Sequence, residues 1–373
     1  MVDLKTQYEK IGTEIDAAIK SVLLSTAFIK GPEVKMFEEE LQSYMGVRNV
    51  VTCANGTDAL RIAMMVLGLN HGDEVITTDF TFVATAEAAA LLGLKVVFVD
   101  PDPGTFNISV EAIRNAITPK TKLIVPVHLF GQCADMESIM DLAEKHNLYV
   151  IEDAAQATGA EYYFKNGISK KAGTIGHIGT TSFFPSKNLG CCGDGGALYT
   201  NDDEYAKKLR SIANHGMKVR YSYSDIGLNS RLDTLQAAIL RVKLNYLARF
   251  NEARQKVADQ YDEAFSGCQS ISKPERVSYS SHIFHQYTVR IRNGRRDELK
   301  TWLGSKKIPS MIYYPGPLHM QEAYKPLGYT EDDFPVTTDL CKEVLSLPMH
   351  PEMEREQIDY IVLNILNFFD NQH

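Results

Sequence analysis

The sequence predicts an α/β protein: a mostly parallel sheet flanked by helices, followed by a smaller α+β C-terminal lobe. Three observations carry this. Between residues 48 and 152 short apolar runs alternate with helix-period patterns, the signature of strand–helix units winding a parallel sheet. Beyond about residue 265 the alternation gives way to isolated strand-like runs such as QYTVRI and IPSMIYY. The chain has 373 residues, more than one small core holds, so two lobes are expected, 1–248 and 249–373.

The elements follow in order. MVDLKTQYEKIGTEIDAAIK reads as an amphipathic helix without the apolar core of a signal peptide. NVVTCA precedes the helical TDALRIAMMVLGL, EVITT precedes ATAEAAALLG, and LKVVFVD precedes SVEAIRNAI. KLIVPVHLF then leads into MESIMDLAEKHN, and YVIED closes the series. Ligands of such sheets lie beyond the carboxyl ends of the strands. TTSFF at 180–184 and GALYT at 196–200 add two strands around a glycine-rich stretch. A helix follows from about Asp202, and a long one is expected from Leu232 through ARFNEARQKVADQYDEAF, joining the lobes. QYTVRI, a helix near 296–304, IPSMIYY and REQIDYIVLNILNFF make up the second lobe.

Bulk properties exclude several classes. The 47 acidic residues outweigh 39 Lys and Arg, a net charge of -8, which speaks against a general nucleic-acid or anionic-membrane binder. No apolar run reaches the length of a membrane span. The six cysteines are scattered without a CxxC pair, so a reduced, cytoplasmic location without a metal site is expected.

Three stretches carry chemistry. Asn55-Gly56-Thr57-Asp58 stands between a strand and a helix, where free backbone N–H groups suit a phosphate and also suit an ordinary N-cap. Asp153 ends a buried strand in IEDAAQ; a carboxylate there faces a cation or several donors, caps a helix, or ligates a metal. Lys187 lies in SFFPSKNLGCCGDGGA. A desolvated lysine can attack a carbonyl to form a Schiff base, whereas a lone lysine is ordinarily a solvated surface charge. His128 ends an apolar run and reads equally as a site residue or a core histidine; Cys191 and Cys192 have no nearby base to activate a thiol, and His319 and His350 receive no role. No GxGxxG follows the first strand, which sets a dinucleotide-dependent dehydrogenase aside.

In combination, GTDAL, FTFVATAEA, EDAAQATGA, SFFPSKNLG with GDGGA, and GLNSRLDTLQAAIL resemble, in order and spacing, the DegT/DnrJ/EryC1/StrS sugar aminotransferases. The similarity runs from GPEVKMFEEEL to SLPMHP. The resemblance implies a fold-type-I, aspartate aminotransferase-like scaffold with pyridoxal 5'-phosphate in the large N-terminal lobe. It implies that Lys187 forms the Schiff base and serves as acid and base, and that Asp153 pairs with the pyridinium nitrogen. Gln156 is implied to bond the phenolic oxygen, Phe82 to stack on the ring, and Gly56, Thr57 and Ser182 to bind the phosphate. Asn229 resembles the residue that reaches the phosphate from a neighbouring subunit, which makes the active unit a homodimer with shared sites. Arg231, Tyr313 and Tyr314 are the implied substrate residues. Relatives that act as dehydratases lack the lysine, so its presence favours transamination.

GQCADM, SFFPSKNLGC and NSRLDTLQAA look most like the members acting on UDP-2-acetamido-2-deoxy-3-oxo-glucuronate. That implies transfer from L-glutamate to the third sugar carbon for surface polysaccharide such as O-antigen. Tyr313-Tyr314-Pro315 departs from the pattern, which has a histidine before the second tyrosine. The alternatives are a dTDP-3-keto-6-deoxyhexose, a four-keto sugar, and a cofactor-binding regulator without turnover.

Overall fold

The computed structural model describes residues 1–292 and 294–370. Its main sheet has seven strands: β1 Asn49–Cys53, β2 Glu74–Thr78, β3 Lys95–Val99, β4 Thr121–Val125, β5 Tyr149–Asp153, β6 Ile178–Ser182 and β7 Gly196–Thr200. They lie in the order β1-β7-β6-β5-β4-β2-β3. β2, β3, β4, β5 and β6 run parallel to one another, and only β7 runs antiparallel, against β1 and β6.

Alternation along each strand explains why helices cover both faces. Val75, Leu123, Val125 and Ile151 face the helices Gly56–Leu67 and Ala84–Leu91. Ile76, Ile124 and Val150 face the helix Met136–His146 on the other side. Local chemistry sets the helix ends: Asn55, Ser109 and Asp135 cap N-termini through their side chains, and Gly68 closes a C-terminus at φ +67.

A second, antiparallel sheet follows: β8 Ile271–Ser272, β9 Tyr287–Ile291 and β10 Val344–Leu347, in that order. The helices Leu247–Ala264, Arg296–Ser305 and Arg355–Asp370 share its apolar core, with Tyr261, Tyr287, Leu299 and Ile361 buried together.

Two expectations are corrected. The long helix from Leu232 is two helices, Thr234–Leu244 and Leu247–Ala264, broken at Asn245-Tyr246. The break turns the apolar faces toward different cores: Leu240 and Leu244 join Phe37 and Leu41, whereas Val257 and Tyr261 join β9 and β10. IPSMIYY forms no strand; Met311 makes a single bridge to Ser346, at the edge of the sheet that β10 completes.

Candidate active site

The carboxyl ends of β5 and β6 and the start of the helix Gly56–Leu67 converge on a cavity of about 430 Å³. Gly56, Thr57, Phe82, Asp153, Gln156, Ser182, Lys187, Tyr313 and Tyr314 all line it. Asn229 and Arg231 do not. Asn229 is exposed, bridged to Asn214, and Arg231 lines a separate cleft with Lys30, Lys35 and Arg210.

Lys187 is the one Lys or Arg lining the cavity among the described residues. It is half-buried in the turn after β6, anchored by its N–H donating to the Phe184 carbonyl at 2.8 Å. Burial lowers its pKa to about 8, against the opposing pull of Asp153. Gly190 keeps this turn tight: a Cβ there would stand 2.4 Å from the Pro185 carbonyl oxygen.

Asp153 is buried, and each of its oxygens receives one donor. The Thr85 hydroxyl donates to Oδ2 at 2.7 Å and the Ala155 N–H to Oδ1 at 3.1 Å. Thr85, also buried, sits inside FTFVATAEA; nothing in its residue type marked it as the partner of an aspartate 68 positions away. The Phe130 N–H donates to Gln156 Oε1 at 2.8 Å, which orients the amide so that Nε2 donates to the Tyr314 hydroxyl at 3.2 Å. Burial pushes the Tyr314 phenol above its ordinary range.

At the helix start, the Asn55 side chain accepts from the Asp58 N–H at 2.8 Å. That leaves the N–H groups of Gly56 and Thr57 at the positive end of the helix. A Cβ on Gly56 would stand 2.7 Å from Ser182 Cβ, so glycine is what lets helix start and strand end meet. The two readings of this segment, cap and phosphate cradle, are therefore compatible, because different groups serve each.

The remaining candidates lie elsewhere. His128 is a core histidine. Its Nδ1 accepts from the Ala134 N–H, so Nε2–H donates to the buried Glu152 at 2.8 Å. His319 pairs with Asp79 at 2.6 Å, fastening the segment after Tyr314 to the loop that carries Phe82. Burial raises the Cys191 thiol to about 11, which leaves it unreactive. Asp194 and His285 are among the cavity residues to which the sequence reading gives no role; His285 sits in FHQY, ahead of a strand, with no motif to mark it.

Phosphate, aromatic ring and amine-reactive carbon thus have matching donors, an exposed phenylalanine face and a lysine of lowered pKa within one cavity. The donor set fits pyridoxal phosphate.

Comparison with known proteins agrees. The model of the DegT/DnrJ/EryC1/StrS aminotransferase family matches residues 9–366. A protein named pleiotropic regulatory protein from Geobacillus stearothermophilus is 48% identical, covering 99% of this chain and 98% of that one. The UDP-2-acetamido-2-deoxy-3-oxo-D-glucuronate aminotransferase of Pseudomonas aeruginosa is 45% identical, over 98% and 99%. The crystal structure of S. venezuelae DesV in complex with a ketimine intermediate superposes with a TM-score of 0.95 at 38% identity, over 99% and 98%.

Proposed function

The chain belongs to the DegT/DnrJ/EryC1/StrS aminotransferase family, and we propose that it aminates UDP-2-acetamido-2-deoxy-3-oxo-glucuronate at the third sugar carbon, with L-glutamate as donor. It is a pyridoxal phosphate-dependent sugar aminotransferase on the aspartate aminotransferase-like fold. The identity to the Pseudomonas enzyme along nearly the whole chain supports the UDP-sugar assignment. The observation that carries the site assignment is Lys187, a cation lowered to about 8 in a cavity it shares with Asp153.

Bound there, pyridoxal phosphate supplies an aldehyde carbon for amines and a ring that accepts electrons when a neighbouring C–H ionises. Lys187 would hold that carbon. Once free, an amine with a pKa near 8 is divided between its two forms close to neutral pH, which suits it to move a proton to and from the substrate carbon. Asp153, oriented by Thr85 and the Ala155 N–H, would keep the ring nitrogen protonated. Gln156, whose Nε2 carries a second hydrogen beside the one given to Tyr314, would donate it to the phenolic oxygen, Phe82 would offer its ring face, and Gly56, Thr57 and Ser182 would bind the phosphate.

The active unit is proposed to be a homodimer. Asn229 and Arg231, outside the cavity of their own chain, would complete the site of a second copy, Asn229 at the phosphate and Arg231 at the sugar carboxylate. Exposed apolar side chains support this: Leu23, Leu24, Phe28 and Ile29 at the end of the first helix, and Val219, Tyr221 and Tyr223 in a hairpin preceding Asn229. Tyr313 and Tyr314 would contact the sugar, and the division at 248/249 would separate a cofactor-binding lobe from a smaller one. No helix among the described residues is long and apolar enough to cross a membrane. We place the enzyme in the cytoplasm, supplying an amino sugar for O-antigen or a related surface polysaccharide.

A dTDP-3-keto-6-deoxyhexose is the second reading, favoured by Tyr313 standing where a histidine was expected. The two are separated by offering each keto sugar to glutamate-treated enzyme and weighing the products. Mass gain only with the UDP-uronate supports the first, and gain only with the dTDP sugar replaces it.

A further inference from the structure

His285 lines the cavity with Lys187, and the tautomer of its ring follows from a chain of hydrogen bonds that starts at two main-chain carbonyls. The first is the Thr158 carbonyl, which can only accept, so the group facing it at 3.2 Å is Asn251 Nδ2. Asn251 Oδ1 is then an acceptor, and Asn188 must turn its Nδ2 toward it at 2.7 Å. The second is the Ile283 carbonyl, 3.3 Å from the same Asn188 nitrogen, which demands the same orientation. Asn188 Oδ1 is thereby left facing His285 Nδ1 at 3.2 Å. Oδ1 carries no hydrogen, so Nδ1 must donate.

The ring is buried, and burial first, then the charges of Lys187 and Arg254, hold its pKa well below the ordinary histidine value. A neutral ring with its hydrogen on Nδ1 has a bare lone pair on Nε2, and no protein donor serves that atom among the described residues. Lys187, the neighbour of Asn188 in the chain, is the cation lining this cavity, and its amine has no protein acceptor there either. Arg254, donating to the carbonyls of Phe284, His285 and Met349, fixes the backbone that presents the ring.

We propose that His285 is a positioning residue: an acceptor whose Nε2 takes a hydrogen bond from the Lys187 amine whenever that amine is free. The proposal rests on the reading of Lys187 as the site lysine. It assigns Asn188 a part as well, because the residue next to the lysine sets the tautomer of the ring that receives it.

The test has two arms. In cofactor-free, full-length protein labelled with 15N-histidine, the expected spectrum shows His285 with hydrogen on Nδ1 and a bare Nε2, unchanged as pH falls through about 6.5. Hydrogen on Nε2, or titration near that pH, overturns the proposal. In the cofactor-loaded enzyme, His285→Leu is expected to lower kcat about 100-fold with KM for L-glutamate nearly unchanged. His285→Gln, which can place an oxygen near the Nε2 position, is expected to recover much of the loss, whereas His285→Asn is not. Unchanged kcat in His285→Leu, or equal loss in all three, contradicts the positioning role. Visible absorbance of bound cofactor reports folding of each variant. Were Lys187 not the site lysine, replacing it would leave turnover intact, while the spectrum of His285 would still report its tautomer.

Discussion

Lys187 releases its proton more readily than an exposed lysine because the folded chain withdraws water from it, and that has a cost in stability. Its folded pKa of about 8 lies below the ordinary 10.5. The unfolded chain therefore binds more protons between these values, and stability rises with pH across that window. The penalty is full below pH 8 and fades toward 10.5. Lys187→Met should accordingly raise the melting temperature of the cofactor-free protein at pH 7 by roughly 1–3 °C, with the gain shrinking above pH 8; thermal scans at several pH values check this. Asp153 depends on Thr85 in the same way that Lys187 depends on burial. Thr85→Val should reduce kcat about 10-fold through a misoriented carboxylate and cost about 1 kcal/mol of stability, read by kinetics and chemical denaturation. Lys187, Asp153 and Gln156 are legible in the sequence because strand-end position and motif coincide. Thr85 and His285 are not, since their roles come from partners distant in the chain, Asp153 and Asn188, that only the fold brings near.

Among the elements, the junction of β6 with the helix Gly56–Leu67 forms the proposed phosphate cradle. Gly56→Ala would place a Cβ 2.7 Å from Ser182 Cβ and force the helix start away from the strand end. Pyridoxal phosphate affinity should fall at least about 10-fold, measured by fluorescence titration, while the helix itself persists because Asn55 still caps it. The strands of the main sheet can be read directly from the sequence, since strands buried on both faces are continuous apolar runs bounded by turns. The break at Asn245-Tyr246 cannot, because helix periodicity continues through it and only the two separate cores reveal the change of direction. β10 is equally hidden: VLSL gains its partner β9 from more than fifty residues away.

On the scale of the whole molecule, a single chain holds the cofactor cradle but keeps Arg231 on a separate cleft. If a second copy completes each site, two inactive variants should rescue one another. Mixing Lys187→Ala with Arg231→Ala after dissociation and reassembly should restore about a quarter of wild-type activity, because half the dimers are hybrids with one intact site each. Mixtures that stay inactive would place Arg231 in the site of its own chain or outside catalysis. The α/β class is read from the alternation of strand and helix patterns, whereas assembly depends on exposed surfaces that sequence periodicity does not display.

The most direct test of Lys187 as the working lysine of a sugar aminotransferase is the visible spectrum of the protein loaded with pyridoxal phosphate. Addition of L-glutamate should abolish the absorbance of the lysine-bound cofactor, and addition of the UDP-keto sugar should restore it. Lys187→Ala should show neither the lysine-bound band nor turnover. A wild-type spectrum indifferent to glutamate, or a Lys187→Ala protein that still aminates the sugar, would contradict the assignment.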